Sequence, residues 1–123
     1  MKLLLDTHVL LWAMLNSPSL PARFAAAIAA PDAEIFVSAA TVWEIAIKRG
    51  LGKLSVPDDL FDHARGAGCV ALPVTWAHAL AVERLPALHA DPFDRLLIAQ
   101  ARVEGLTLVS ADRVFGSYDV ALL

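Results

Sequence analysis

The chain has 123 residues, the length of one ordinary domain, and its 10 Lys and Arg against 13 Asp and Glu give a formal charge of −3. Hydrophobic residues make up 58% and charged residues 19%, which excludes intrinsic disorder and predicts a large core for so short a chain. A bilayer span is also excluded, because the longest stretch without Asp, Glu, Lys or Arg, from Gly66 to Val82, is broken by Gly68, Pro73 and His78, whereas a spanning helix needs about 20 mostly apolar residues.

Taken in order, Lys2–Leu5 is a short apolar strand ending at Asp6. Asp6 and His8 cut this apolar opening too early for a signal peptide. Thr7–Leu15 reads as an apolar helix closed by Asn16-Ser17-Pro18. Pro21, at a first-turn position, opens a second helix through about Ala30. Glu34–Ser38 is a strand, and Ala39–Arg49 a helix stopped by Gly50 and Gly52. Pro57-Asp58-Asp59 opens a helix through about Arg65, and Cys69–Val74 is the third strand. Its lone Cys69 has no disulfide partner and is expected as a small buried thiol in a cytoplasmic protein. Thr75–Arg84 is a helix, Asp91-Pro92 starts another through about Glu104, and Gly105 ends it. Thr107–Ser110 is a strand, and Tyr118–Leu122 a short last one. No linker, repeat or low-complexity segment divides the chain, so residues 1–123 are expected to form one domain.

Apolar strands separated by helices predict a parallel sheet buried on both faces. The expected fold is α/β, a three-layer α/β/α sandwich with four or five strands. In such sheets functional groups gather at the carboxyl ends of the strands. Asp6 ends the first strand, Asp112 follows the fourth, and Glu44 lies early in the helix after the second. Asp94 joins them if the helix begun by Asp91-Pro92 starts on the same edge.

Each acid also has a purely structural reading. Asp6 suits a helix N-cap and Asp112 a turn. Asp91 with Asp94 resembles a capping box, with Asp91 the better cap because Pro92 follows it. Glu44 sits in the apolar segment Val42-Trp43-Glu44-Ile45-Ala46-Ile47, with Lys48 at i+4 as its available partner. Together, carboxylates converging on one sheet edge repel each other, and a divalent cation resolves that repulsion. Oxygen donors alone suit Mg²⁺ or Mn²⁺ and disfavour zinc. His8, His63, His78 and His89 show no ligand spacing, and His8 reads as structural or peripheral.

A carboxylate-held cation at this edge suggests phosphodiester hydrolysis. Without the four acids, nine remain against ten Lys and Arg, so mild overall acidity does not exclude a nucleic-acid substrate. Lys48, Arg49, Lys53, Arg95 and Arg113 lie near the acids in sequence and are candidates to grip phosphates, or else ordinary solvated surface. A phosphatase- or receiver-like domain is the competing class. The expected second acid after the first strand is missing, because the residues there are Asp6-Thr7-His8.

The segments MKLLLDTHVLLWAM, SAATVWEIAIKRGLGKL, DPFDRLLIAQA and LVSADRVFGSYDV, in this order, resemble the PIN-domain family, and within it the VapC-type toxins of bacterial toxin–antitoxin pairs. The resemblance covers nearly the whole chain. It implies a Mg²⁺- or Mn²⁺-dependent ribonuclease with Asp6, Glu44, Asp94 and Asp112 as the acidic metal site. Ser110 would support that site from behind, and Asp91 is the alternative ligand if Asp94 only caps its helix. It also implies a homodimer and a small cognate antitoxin, for which the helices carrying Trp12 and Phe24 would offer a surface. A non-catalytic PIN-like module that binds RNA or protein is the alternative within the family, and loss of an acid would mark it.

Overall fold

A computed structural model describes residues 1–123. Four strands, β1 (Lys2–Leu5), β2 (Glu34–Ser38), β3 (Val70–Leu72) and β4 (Thr107–Val109), form one sheet in the order β3-β2-β1-β4. Every neighbouring pair is parallel, with Leu3 opposite both Ile35 and Thr107. Six helices surround it: α1 (Thr7–Met14), α2 (Ala22–Ala29), α3 (Ala39–Gly50), α4 (Leu60–Gly66), α5 (Trp76–Ala81) and α6 (Pro92–Glu104).

The alternation of side chains along the strands divides the core into two layers. Leu4 and Leu108 face one side with Leu97, Ile98 and Ala101 of α6, Phe115 and Tyr118. Leu3, Leu5, Val37 and Val109 face the other with Val9, Leu10, Phe24, Ile45 and Leu60. The α/β/α sandwich read from the sequence is therefore the fold, with four strands. No helix is long and apolar enough to cross a membrane.

The expected fifth strand is a correction. Residues Arg113–Ser117 form a 3₁₀ turn, and only Leu122 reaches the sheet, in an isolated parallel bridge to Leu108. Burial of both Phe115 and Tyr118 pulls this segment tightly over the core and leaves no extended run to pair. Shorter differences have similarly local causes. The third strand stops at Leu72, because Pro73 has no N–H to donate to a ladder. The helix expected over Thr75–Arg84 tightens to 3₁₀ geometry from Val82 to Arg84. The helix expected from Pro57 begins at Leu60, where Asp59 provides no side-chain cap. Cys69 is half-buried rather than buried.

The sheet's direction fixes where the site lies. Parallel strands place Asp6 and Asp112 at one edge, and α3 leaves β2 at that same edge. Helix α6 runs back to feed β4, turning at Gly105, which caps it in the left-handed conformation at φ 66°. Its N-terminus, with Asp94, therefore sits at the carboxyl edge too.

Candidate metal centre

Asp6 is only 4% exposed. Its Oδ1 accepts the Val9 amide at 2.8 Å, so it does cap α1 as its structural reading required. A cap uses one oxygen and leaves the rest of the carboxylate available. Burial pushes the Asp6 carboxyl above its usual range, and the nearby Asp112 charge pushes the same way. A Ser110 hydrogen bond, the Val9 amide and His8 oppose that rise. Ser110 Oγ also accepts the Asp112 amide at 3.1 Å, so this hydroxyl joins the two acids from behind. Asp112 is exposed and accepts the Val114 amide at 3.1 Å.

Asp91 and Asp94 divide their tasks. Asp91 Oδ1 accepts the amides of Phe93 at 2.8 Å and Asp94 at 3.1 Å, which makes it the cap of α6. Asp94 bonds no backbone amide of that turn. Its Oδ2 lies 2.8 Å from His89 Nε2. Burial raises the Asp94 carboxyl to about 6, the Asp91 and Asp6 charges add to the rise, and His89 opposes it. Replacing Asp91 with alanine should accordingly cost about 0.5–2 kcal/mol, read as a lower urea midpoint, without removing a ligand. Equal stability with lost activity would mean that Asp91 serves the site and not the helix.

Glu44 is 5% exposed and fully partnered. The Thr7 hydroxyl donates to Oε1 at 2.7 Å and Lys48 Nζ to Oε2 at 2.7 Å. The structure thus supplies the i+4 partner that the sequence offered, and Glu44 holds α3 against the start of α1. Its hydrogen bond raises the Lys48 ammonium, and the Asp91 and Asp94 charges add to that rise. Lys48 therefore sits in the field of the acidic edge, with its side chain 42% exposed.

The other cations differ. Arg113 is exposed beside Asp112, whereas Arg49 pairs with Asp58. Arg95 does not face a phosphate path. Its guanidinium donates to the carbonyls of Pro86 at 2.8 Å, Val82 at 3.2 Å and Leu85 at 3.4 Å, tying down the loop that precedes α6. The surface expected around Trp12 and Phe24 also needs correction. Phe24 is fully buried and Trp12 is partly buried against the same core, because α2 turns its one large aromatic inward. His8 is exposed and lines a common pocket with Asp6, Trp12, Ala111 and Asp112, so it borders the acids instead of facing away.

One residue at the edge escaped the sequence reading. The ligand atoms of His89, Asp94 and Asp112 all lie within 4.8 Å of one another, with Asp6 bordering them. His89 lies five residues before Asp94 on a loop, a spacing that carries no helical or strand pattern. The donor set fits a small divalent cation. It offers the Asp6 and Asp94 carboxyls, whose charged forms are disfavoured where they stand, beside Asp112, and no thiolate.

The PIN domain family matches residues 3–121. The chain belongs to the PIN domain family. Solved structures share this PIN domain's fold over nearly its whole length. VapBC2 from Rickettsia felis, bound to a DNA fragment from its promoter, aligns at TM-score 0.75 and 16% identity, covering 100% of this chain and 98% of that one. FitAcB from Neisseria gonorrhoeae aligns at TM-score 0.66 and 22% identity, covering 98% and 96%. DNA-bound VapBC from Salmonella typhimurium aligns at TM-score 0.68 and 17% identity, covering 100% and 97%. No curated protein sequence matches this PIN domain.

Proposed function

We propose that the chain is a Mg²⁺- or Mn²⁺-dependent endoribonuclease of the VapC type, the toxin of a toxin–antitoxin pair. The observation that carries this reading is the convergence of Asp6, Asp94 and Asp112 on one sheet edge of a PIN domain, two of them with raised pKa values. Such a cluster opposes folding unless it serves a cation. The neighbours of similar fold are VapBC and FitAB complexes, which supports a small antitoxin as the protein partner and a cytoplasmic setting. A homodimer is part of the same proposal.

In this reading Asp6, Asp94 and Asp112 hold the cation, and Glu44 completes the acidic edge through its fixed position on α3. When bound, the cation supplies Lewis-acid activation of water and neutralises charge developing on the phosphate. Ser110 keeps Asp6 and Asp112 in mutual register. Lys48 and Arg113 stand at the rim, where a ribose-phosphate backbone meets positive charge. Arg49 is left to Asp58 and Arg95 to its loop.

The test is cleavage of a mixed-sequence RNA by the purified chain. Cleavage should need Mg²⁺ or Mn²⁺ and stop with chelator. Asp6→Asn should slow it by more than about a hundredfold while the variant still melts cooperatively, since the amide keeps the shape and loses the charge. Undiminished cleavage by that variant in chelator would refute a metallonuclease.

A further inference from the structure

We propose that His89 is a direct metal ligand of this centre, and that its nitrogen makes the site prefer Mn²⁺ over Mg²⁺. The inference rests on the reading of the acids as a metal site and adds a donor that an all-oxygen site lacks. His89 Nε2 lies 2.8 Å from Asp94 Oδ2. Adjacent ligands of an octahedral ion with bonds of about 2.1 Å stand about 3 Å apart. The pair is therefore already spaced as two neighbouring ligands, and the Asp112 carboxylate lies within 4.8 Å of both.

The ring is held in this place from two sides. It stands edge-on to Phe115, with centroids 6.2 Å apart at 87°. Phe115 is 1% exposed, so that wall does not move with solvent. The loop that carries His89 is tied to α6 by Arg95, through the carbonyls of Val82, Leu85 and Pro86. Arg95 is one residue after Asp94, so a single turn of helix fixes both the carboxylate and the loop bearing the imidazole. A surface histidine that only met a stray carboxylate would not need this scaffold. In the metal-free protein the His89–Asp94 contact is a hydrogen bond, and the proton it holds leaves to solvent when the cation binds, so that the neutral ring offers the Nε2 lone pair and keeps its proton on Nδ1.

The chemical consequence is selectivity. Mg²⁺ is hard, keeps its waters and gains little from an imidazole. Transition ions gain more from nitrogen, and of the two ions that suit a carboxylate-dominated site, Mg²⁺ and Mn²⁺, Mn²⁺ is the one that shares this gain.

The deciding measurement is pulsed electron paramagnetic resonance on the Mn²⁺-loaded protein. The parent should show ¹⁴N coupling from one imidazole, changing to the ¹⁵N pattern when only histidine is ¹⁵N-labelled. In His89→Gln that coupling should vanish, and Mn²⁺ affinity should fall by on the order of tenfold or more, with Mg²⁺ affinity falling distinctly less. The labelling reads histidine ligation without a variant at His89, and a parallel His8→Gln variant that keeps the coupling assigns it to His89, so a folding defect in His89→Gln leaves the test decisive. Bound Mn²⁺ without histidine coupling, or equal losses for Mn²⁺ and Mg²⁺, would overturn the assignment of His89 alone. Bound Mn²⁺ whose affinity is indifferent to Asp112→Asn, or no binding by the parent, would overturn the acidic centre and His89 with it.

Discussion

Replacing Asp94 with asparagine should slow RNA cleavage by more than about a hundredfold, yet raise the melting temperature of the chelated protein near neutral pH. The reason lies in the Asp94 carboxyl, raised from 3.8 to about 6, first by burial and then by the Asp91 and Asp6 charges. An acid with a higher pKa in the folded than in the unfolded chain binds its proton more tightly when folded. Its favourable contribution is complete below 3.8 and is lost as pH rises through about 6. The chelated parent should therefore lose stability across that window. The asparagine variant titrates nothing there and should lose less, although Asp6, also raised, leaves part of the slope in both proteins. The two melting temperatures should coincide in acid, draw apart between about pH 3.8 and 6, and stay apart above that, with the variant higher. Added Mn²⁺ should reverse the order, because it stabilises only the protein that binds it. A variant that melts lower at every pH would show that the Asp94–His89 contact is structural.

What could be read from the sequence, and what could not, follows from the range of each signal. Asp6 stands directly at a strand end and Asp112 three residues past another, and a parallel sheet carries all such ends to one edge, so local pattern sufficed. Asp91 was legible as a cap because Pro92 announces the first turn. Arg95 lies in the same turn as an acid, which made it resemble a phosphate ligand. Its actual partners are backbone carbonyls, which leave no trace in side-chain identity. His89 sits on an irregular loop, where the spacing to Asp94 predicts no direction. Phe24 appeared free because α2 is mostly alanine, yet that helix must bury its one large aromatic against the sheet. Pairs formed between α3 and α6 were invisible for the same reason: their residues are some sixty positions apart.

The chief pair of that kind sets the second large expectation, that Gln100→Leu destabilises the protein by about 1–3 kcal/mol although leucine is of similar size. Gln100 is completely buried on α6. Its Oε1 accepts the Ser38 hydroxyl at 2.5 Å, and its Nε2 donates to the Pro73 carbonyl at 3.2 Å and lies 3.3 Å from His78 Nδ1. Ser38 caps α3 and accepts the Ala40 amide at 3.0 Å, so the amide of Gln100 joins α6 to the start of the helix that carries Glu44. His78 Nδ1 keeps the Thr75 amide at 3.0 Å when Gln100 is lost. The Pro73 carbonyl, on an exposed residue, can turn to water, but the buried Ser38 O–H has no such reserve, and left unpaired it costs about 1–3 kcal/mol. The added apolar surface of leucine offsets part of this. Ser38→Ala should cost about 1–2 kcal/mol, since it orphans Gln100 Oε1 and weakens a cap. The double variant removes both ends of one bond, so its cost should fall short of the sum by about 0.5–3 kcal/mol. Urea midpoints at a constant slope give all three values. Strict additivity would mean that Ser38 and Gln100 do not share the bond, and that α3 and α6 are held together by packing alone.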